Sequence, residues 1–336
     1  TLFRSFGAGA IGSHLAYCLK DKKNNIILLS KKKYVKAMRY NGLNLNIYSN
    51  EKLKKKILLK ESKNFKFEFD LKKINKIFRE QCDVIFVTVK LKDFKLNIFK
   101  EITNLCNKNS LLVLPCTYLP PWWFNGIFKS NKVKNINKEI KISKKYQNNM
   151  VGMTMWLSGK MKKPGYAEIK HVQRGYPIKE VHPSKKSTTN KLRTIIKKRC
   201  ISPNVRNIYS EIYIKAINSF AFNLIALDTE QNNFQLKKNE NAIKSINKIF
   251  FEFDSIVSSL GIPIFQSASS RINQTLSSTR HTLSMLTDFK KGKKVEIAYL
   301  WKTLLLLANL SKKKINFSKK IYKKVLIKLK KNGNLA

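Results

Sequence analysis

The 336-residue sequence has few acidic residues, few glycines and prolines, and no long apolar run. Asp and Glu together number 20 against 68 Lys and Arg, so the formal net charge at pH 7 is +48. The longest apolar run, Thr303–Leu310, is far shorter than the roughly 20 residues that a membrane-spanning helix requires. We therefore expect that this protein does not span a membrane. A hydrophobic content of 43% also argues against a disordered chain.

Cysteines are scarce as well, and their spacing matches no disulfide or metal framework. The five form no CxxC pair and have no metal-ligand spacing to the four histidines: Cys18, Cys82, Cys106, Cys116 and Cys200. The sequence therefore predicts no metal site. No secretory signal opens the sequence, and unpaired cysteines suit a reducing compartment, so we expect a cytoplasmic protein.

The excess of lysine has two interpretations. A strongly basic chain is typical of proteins that bind nucleic acids or anionic membranes. Here lysine occurs in every segment and not along one stripe, and other residues with A/T-rich codons (Asn, Ile and Phe) are abundant too. An A/T-rich genome would therefore account for the excess of lysine without a polyanionic partner. We predict no specific nucleic-acid partner and no membrane partner, with polyanion binding as the alternative.

The first half of the sequence alternates short apolar runs with amphipathic stretches, a pattern typical of a parallel α/β sheet. Four runs predict strands: Leu2–Phe6, Asn25–Ser30, Asp83–Val89 and Ser110–Leu114. Three stretches between them predict helices: Ile11–Lys20, Lys33–Tyr40 and Phe94–Leu105. Two later runs, Met150–Leu157 and Gly165–Val172, are expected to add strands to the same domain.

From about Ile208 onward the pattern is almost entirely helical. Apolar residues recur at helical spacing in four segments: 209–228, 240–260, 294–310 and 316–331. The Lys/Ser-rich stretch 183–200 is interpreted as a surface connection before this part. The sequence thus predicts an α/β protein with an N-terminal Rossmann-type parallel-sheet domain at 1–206 and an all-helical C-terminal domain at 207–336.

A glycine-rich turn follows the first predicted strand. The residues Gly7-Ala8-Gly9-Ala10-Ile11-Gly12 match the dinucleotide-binding pattern GxGxxG and open the first predicted helix. In such a turn the first glycine permits a tight bend, the second admits a pyrophosphate, and the third lets helix and strand pack closely. A glycine turn without a ligand is the alternative, because the pattern alone has low specificity.

Lysine follows the second predicted strand, where NAD-binding proteins commonly carry Asp or Glu for the ribose hydroxyl. The residues here are Ser30-Lys31-Lys32-Lys33. A carboxylate would repel the 2′-phosphate of NADP, whereas a lysine attracts it. Lys31 therefore favours NADPH over NADH as the cofactor.

Polar side chains recur at helical spacing in the second half. Lys215, Ser219 and Asn223 lie at i, i+4 and i+8 among apolar neighbours, which places them on one helix face. In a second set, two residues share a helix face and the third begins the next helix: Ser284, Asp288 and Glu296. A solvated lysine and helix-capping acids are the alternative interpretation of these two sets.

These features, in this order, resemble the ketopantoate reductase family (2-dehydropantoate 2-reductases). The similarity extends from residue 7 to about residue 300. In the first half it rests on GAGAIG at 7–12, Val87-Thr88-Val89-Lys90, Pro121-Trp122-Trp123-Phe124, Pro164-Gly165 and Tyr176-Pro177-Ile178. In the second half it rests on the helix 215–223 and on the run Ser284-Met285-Leu286, Asp288 and Glu296-Ile297.

The resemblance implies the NADPH-dependent reduction of 2-dehydropantoate to pantoate on the route to pantothenate and coenzyme A, in a cleft between the two domains. It implies that Lys215 is the catalytic proton donor and that Glu296 holds the lysine and the substrate in register. The substrate contacts that it implies are Asn223, Ser284, Ser219 and Asp288. The cofactor contacts are Gly7, Ala8, Gly9, Ala10, Ile11, Gly12, Lys31, Lys90 and Thr117.

The sequence departs from the family pattern at two positions that bear on activity. Thr117-Tyr118, or Tyr118-Leu119 if the register is one residue later, stands where the family usually has Asn-Gly. Ser219 replaces an asparagine on the lysine helix. Two alternatives therefore stay open: a non-catalytic nucleotide-binding relative, and a reductase of another small 2-oxo acid. A homodimer is also left open.

Overall fold

The computed structural model describes residues 2–49, 52–70, 83–89, 102, 106–128, 146–277 and 283–335. The predicted helix Phe94–Leu105 and the predicted cofactor residue Lys90 therefore lie outside the described residues, apart from Ile102. The chain divides into two compact units, of which the first comprises 1–116 and 142–208 and the second 117–141 and 209–336.

Eleven strands are found in the described part of the first unit. In chain order they are β1 (Leu2–Phe6), β2 (Asn25–Leu29), β3 (Leu43–Ser49), β4 (Lys52–Leu59), β5 (Phe65–Glu68), β6 (Val84–Val87), β7 (Leu111–Cys116), β8 (Met150–Thr154), β9 (Trp156–Lys163), β10 (Tyr166–Gly175) and β11 (Ile178–Glu180). They form a seven-stranded and a four-stranded sheet.

Helices occur in both units. In chain order, the described ones are α1 (Ala10–Leu19), α2 (Lys32–Asn41), α3 (Pro121–Ile127), α4 (Lys186–Lys197), α5 (Ile208–Thr229), α6 (Asn233–Lys238), α7 (Glu240–Ser259), α8 (Ala268–Leu276), α9 (Ser284–Lys290), α10 (Ile297–Leu310) and α11 (Asn316–Lys331). Each of the four helices predicted in the second half is present within a few residues of its expected bounds.

The seven-stranded sheet has the order β11-β8-β7-β6-β1-β2-β5. Six of its strands are parallel, and β11 runs antiparallel to β8. Strand β6 is buried along its whole length, as is typical of a parallel sheet that is covered on both faces. The order of the six parallel strands is that of the Rossmann dinucleotide-binding fold, so the predicted fold class is confirmed.

The four-stranded sheet, with the order β4-β3-β10-β9, was predicted only in part. The run 165–172 lies in β10, but β3 and β4 were missed. In β4 the five residues Lys52–Lys56 are all exposed, so no alternation of buried and exposed positions is visible in the sequence. Lysines are common on edge strands because they discourage pairing with other chains.

The stretch 183–200, interpreted as a surface connection, contains the helix α4, so that interpretation was wrong. Thr189, Leu192 and Ile196 recur at helical spacing and are buried, whereas the lysines of the helix are exposed: Lys186, Lys191 and Lys197. The many lysines and serines concealed a narrow apolar stripe that packs beside α1.

The second unit consists of α3 and the helices α5–α11. The prediction had placed α3 in the nucleotide domain, but its contacts are with α5. Trp122 and Trp123 are fully buried, and the indole N–H of Trp123 donates to the backbone oxygen of Tyr209 at 2.9 Å. The helix α3 therefore packs with α5 in the second unit, because this buries two indole rings, although α3 follows β7 of the first unit in the chain. Within the described residues, no helix is both long and apolar enough to cross a membrane.

Candidate functional site

The glycine turn lies at the carboxyl end of β1, between β1 and α1. Gly7 has φ +110°, a value that side chains rarely permit, and a Cβ there would lie 2.9 Å from the backbone of Thr88. Thr88 follows β6, the neighbouring strand, and its hydroxyl donates to the Gly7 oxygen at 2.8 Å. This is the point where the strand order reverses, which is the ligand-binding edge of such sheets.

The other two glycines have different surroundings. A Cβ on Gly12 would lie 1.9 Å from the Gly7 oxygen, so α1 can approach the turn only with glycine at that position. A Cβ on Gly9 would meet no atom within 4 Å, and Gly9 begins α1 without a side-chain cap. The open space at Gly9 and the uncapped helix N-terminus form a cradle that fits a pyrophosphate.

The remaining predicted cofactor residues lie around this edge of the sheet. Ala8 and Ala10 are buried, and Ile11 is half-buried. Lys31 is the exposed N-terminal cap residue of α2, whose first turn contains no acidic residue. Thr117 is half-buried and directly follows β7. Lys31 is thus free of a carboxylate neighbour in its own helix turn.

Lys215 lies in α5, most of whose residues are buried on every side. Its own side chain is half-buried. Removal from water lowers the pKa of its ammonium group to about 8, while attraction to Glu211 opposes that shift. Glu211 precedes Lys215 by one helix turn and is buried. An amine with a pKa near neutrality can donate and accept a proton under physiological conditions.

Asn223 connects the two predicted substrate sets within the second unit. Its amide N–H donates to the backbone oxygen of Ser219 at 2.7 Å, and its Oδ1 accepts from the backbone N–H of Met285 at 3.2 Å. The side chain therefore holds the first turn of α9 against α5. Among the described residues, these bonds use half of its hydrogen-bonding capacity, one of two N–H groups and one of two lone pairs.

The other members of these sets lie on neighbouring elements of the second unit. Ser219 is half-buried on α5, one turn after Lys215. Ser284 is the exposed first residue of α9, and Asp288 is half-buried one turn later. Glu296 is half-buried and immediately precedes α10. The helix assignments that placed these residues are confirmed, whereas their roles stay predictions.

Two residues with a clear effect on these groups were missed. Glu211 is the charged neighbour that acts on the pKa of Lys215, and Thr88 holds the glycine turn. The spacing Glu-x-x-x-Lys on a predicted helix indicates the first contact and was available in the sequence. The contact between Thr88 and Gly7 joins residues that follow two different strands, so it is visible only in the folded sheet.

The basic residues are spread over both units. Exposed lysines cover β4 in the first unit and much of α11 in the second. A cleft of about 600 Å³ in the first unit is lined by residues that include Lys20, Lys22 and Lys63, together with Asp21. It lies beside the C-terminal end of α1, away from the glycine turn, and contains none of the predicted site residues.

Family models match both halves of the chain. The model of ketopantoate reductase PanE/ApbA matches residues 5–119, and the model of its C-terminal part matches residues 207–327. Together they include the glycine turn, Lys31, Thr117 and every residue of the two polar sets. The chain has no significant sequence match among curated proteins.

Solved structures share the fold over almost the whole chain. A candidate ketopantoate reductase from Ralstonia solanacearum MolK2 is 18% identical, with a TM-score of 0.81 over 99% of both chains. A D-mandelate dehydrogenase in a ternary complex with NADH and anilino(oxo)acetate is 19% identical, with a TM-score of 0.74 over both full chains. A dimeric ketopantoate reductase from Staphylococcus aureus is 14% identical, with a TM-score of 0.63 over 99% of this chain and 100% of the other.

Proposed function

Because the chain belongs to the ketopantoate reductase family of NAD(P)-dependent oxidoreductases, we propose that it uses NADPH to reduce 2-dehydropantoate to pantoate. The observation that carries the proposal is the combination of two features. The first is a glycine cradle at the reversal point of a Rossmann sheet, and the second is a half-buried lysine of lowered pKa in the helical unit.

In the first unit, the residues of the glycine turn would hold the dinucleotide. The open backbone at Gly9 and the N-terminus of α1 bind the pyrophosphate, and the exposed Lys31 binds the 2′-phosphate. Thr117 and Lys90 are the proposed contacts nearer the nicotinamide. When bound, the reduced nicotinamide supplies the hydride that the substrate carbonyl carbon accepts.

In the second unit, Lys215 would supply the proton. As the carbonyl carbon is reduced, negative charge develops on the carbonyl oxygen, and the Lys215 Nζ donates a proton to it. Before that transfer, the positive ammonium group stabilises the developing charge. Glu211, one turn away, favours the protonated form of the lysine and so keeps it ready to donate at neutral pH.

The polar residues around Lys215 would bind and orient the 2-oxo acid. We propose that the amide of Asn223, half of whose hydrogen-bonding capacity is used by contacts among the described residues, and the exposed Ser284 at the start of α9 bind the substrate. We propose that Ser219 and Asp288 complete these contacts. Glu296 is the residue that we propose holds the substrate and the lysine in register.

The test is oxidation of NADPH by the purified chain with 2-dehydropantoate. A second candidate, favoured by the similarity to D-mandelate dehydrogenase, is reduction of an aromatic 2-oxo acid such as the one that corresponds to mandelate. The ratio of kcat/KM for the two substrates decides between them. Binding of NADPH without turnover of any 2-oxo acid would identify a non-catalytic relative. In that case Thr117 and Ser219 do not replace the function of the asparagines that the family usually has at these positions.

Lys31→Asp is expected to reverse the preference between the two cofactors. It places a carboxylate beside the 2′-phosphate in place of an ammonium group, so NADPH should bind about 10- to 100-fold more weakly, the equivalent of one charge-assisted hydrogen bond. NADH, which lacks that phosphate, should bind almost as before. Fluorescence titration of the reduced cofactors measures both affinities.

The matched control is Lys36→Asp, which makes the same change of charge on the exposed side of α2, farther from its N-terminus. It should weaken NADPH binding only slightly, because the charges are then screened by solvent. Equal losses in the two variants, or equal affinities of the unaltered chain for NADPH and NADH, would contradict the assignment of Lys31.

Nucleic-acid binding is expected to be weak despite the net charge of +48. Lysines spread over both units attract a polyanion without forming one continuous surface, so binding to duplex DNA should be independent of sequence and lost near about 0.2 M salt. Fluorescence anisotropy with a labelled duplex measures this. Submicromolar binding that persists at that salt concentration would favour the alternative of a polyanion-binding protein.

We also propose that the chain forms a homodimer, the state named for the Staphylococcus aureus protein. Light scattering of the purified chain distinguishes a dimer from a monomer.

A further inference from the structure

A cluster of metal-binding side chains lies inside the first unit, away from the glycine turn. His14 and Cys18 lie one turn apart on α1, and Cys200 follows α4. The three side chains are 1%, 1% and 9% exposed. One ligand atom from each lies within 4.8 Å of those of the other two. The packing of α4 beside α1 brings Cys200 to this pair, a meeting that no sequence spacing indicates.

The distances are close to those of a zinc site. Zinc holds thiolate sulfur at about 2.3 Å and imidazole nitrogen at about 2.0–2.1 Å, so two ligands of a tetrahedral ion lie roughly 3.5–3.8 Å apart. The Cys18 sulfur lies 3.9 Å from Nε2 of His14 and 4.0 Å from its Nδ1. The three ligand atoms lie within 4.8 Å of one another, so a contraction of up to about 1 Å would bring all three donors to one ion.

The surroundings orient the histidine ring as a metal ligand requires. Nδ1 of His14 lies 2.9 Å from the hydroxyl of Tyr176, which is fully buried. Histidines that bind metals usually engage their second ring nitrogen with an oxygen in this way, which fixes the ring and leaves the first nitrogen for the ion. Here that arrangement leaves Nε2, the atom near the Cys18 sulfur.

The backbone around the two cysteines is held firmly. The guanidinium group of Arg199 donates to the backbone oxygens of Tyr17 and Lys20 at the end of α1. The N–H of Cys200 donates to the oxygen of Ile196 at 3.0 Å. Tyr17 and Arg199, which precede the two cysteines in the chain, line the neighbouring cleft of about 600 Å³.

We propose that His14, Cys18 and Cys200 bind one zinc ion. Two thiolates and a neutral imidazole give a divalent cation no net charge, which is what a buried site requires. The described residues supply three donors, so water would occupy the fourth position of the tetrahedral ion. This site is independent of the proposed reductase function, because none of its residues belongs to the nucleotide or substrate sets.

The experiment is a titration of the full, reduced, chelator-treated chain with Co²⁺, which reports its ligands by absorption. Thiolate ligands give sulfur-to-cobalt charge-transfer bands in the near ultraviolet, and tetrahedral geometry gives intense visible bands. We expect both to saturate at one equivalent and to vanish when Zn²⁺ is added. Cys18→Ser and Cys200→Ser should each abolish the charge-transfer bands of one thiolate and weaken binding at least about 10-fold, the range for loss of a metal contact.

The matched control is Cys116→Ser, which alters a fully buried cysteine on β7 outside the cluster and should leave the titration unchanged. Zinc-edge X-ray absorption of the unaltered chain avoids any folding defect of the variants and should show two sulfurs and one imidazole around the ion. An ion surrounded only by nitrogen and oxygen would overturn the proposal. So would the absence of charge-transfer bands, or a Cys18–Cys200 disulfide that forms under the same reducing conditions.

Discussion

Lys215→Ala is expected to reduce the turnover rate with a 2-oxo acid about 10²–10⁴-fold, the usual effect of removing a positioned proton donor. Without the ammonium group, the negative charge that develops on the carbonyl oxygen has neither a proton donor nor a nearby cation from α5. Steady-state kinetics with saturating NADPH measures the loss. The affinity for NADPH should hardly change, because the glycine turn and Lys31, the proposed contacts to the cofactor phosphates, are in the first unit.

The pH profile separates a proton donor from a residue that only maintains structure. The pKa of Lys215 is lowered to about 8, so the donating, protonated form is present below that pH and is lost as the pH rises through it. The rate of reduction should therefore fall on the alkaline side with a midpoint near pH 8, provided that the free protein is measured through kcat/KM. The alanine variant should lose this alkaline limb.

The matched control is Lys302→Ala, which removes an exposed lysine from a helix of the same unit. It should retain full activity and the same pH profile. If Lys215→Ala were as active as this control, Lys215 would be one more solvated lysine, and the proposed mechanism would be wrong.

Arg271→Ala is expected to lower the free energy of unfolding by about 3–5 kcal/mol, the usual result of breaking a buried ion pair. Arg271 is fully buried, its guanidinium group bonds both carboxylate oxygens of Asp254, and it lies 4.2 Å from the ring centre of Phe250. The variant leaves the carboxylate without its cation and opens a cavity between α7 and α8. The effect should fall toward the lower end, because Asp254 keeps 22% of its side chain exposed.

Tyr213 extends this ion pair to the lysine helix. Its hydroxyl donates to Asp254 at 2.5 Å. Burial, and to a lesser extent the charge of Asp254, raises the pKa of Tyr213 well above its usual value, so the hydroxyl stays a donor.

Urea denaturation followed by circular dichroism measures the loss of stability in Arg271→Ala. Lys244→Ala, which breaks an exposed pair with Glu240 one turn away on α7, is the control and should cost less than about 0.5 kcal/mol. If both variants lost similar free energies of unfolding, the buried ion pair would contribute no more to stability than the exposed one.

Local patterns in the sequence determined the fold class and the positions of the main candidate residues. A parallel sheet buried on both faces requires continuous apolar strands, so β2, β6 and β7 could be predicted from short apolar runs alone. The glycine turn is equally local, because the pattern GxGxxG between a strand and a helix lies within six consecutive residues. The helical spacing of Lys215, Ser219 and Asn223 likewise follows from the geometry of one helix.

The tertiary structure decided what depends on contacts between distant segments. The helix α3 belongs to the helical unit because its two tryptophans are buried there. The amphipathic helix α4 could not be predicted, because its few apolar residues lie among many lysines. Glu211 acquired its influence on Lys215 because α5 is buried and water no longer screens the two charges. The cluster of His14, Cys18 and Cys200 exists only because α4 packs beside α1, a contact between chain segments whose meeting no local periodicity specifies.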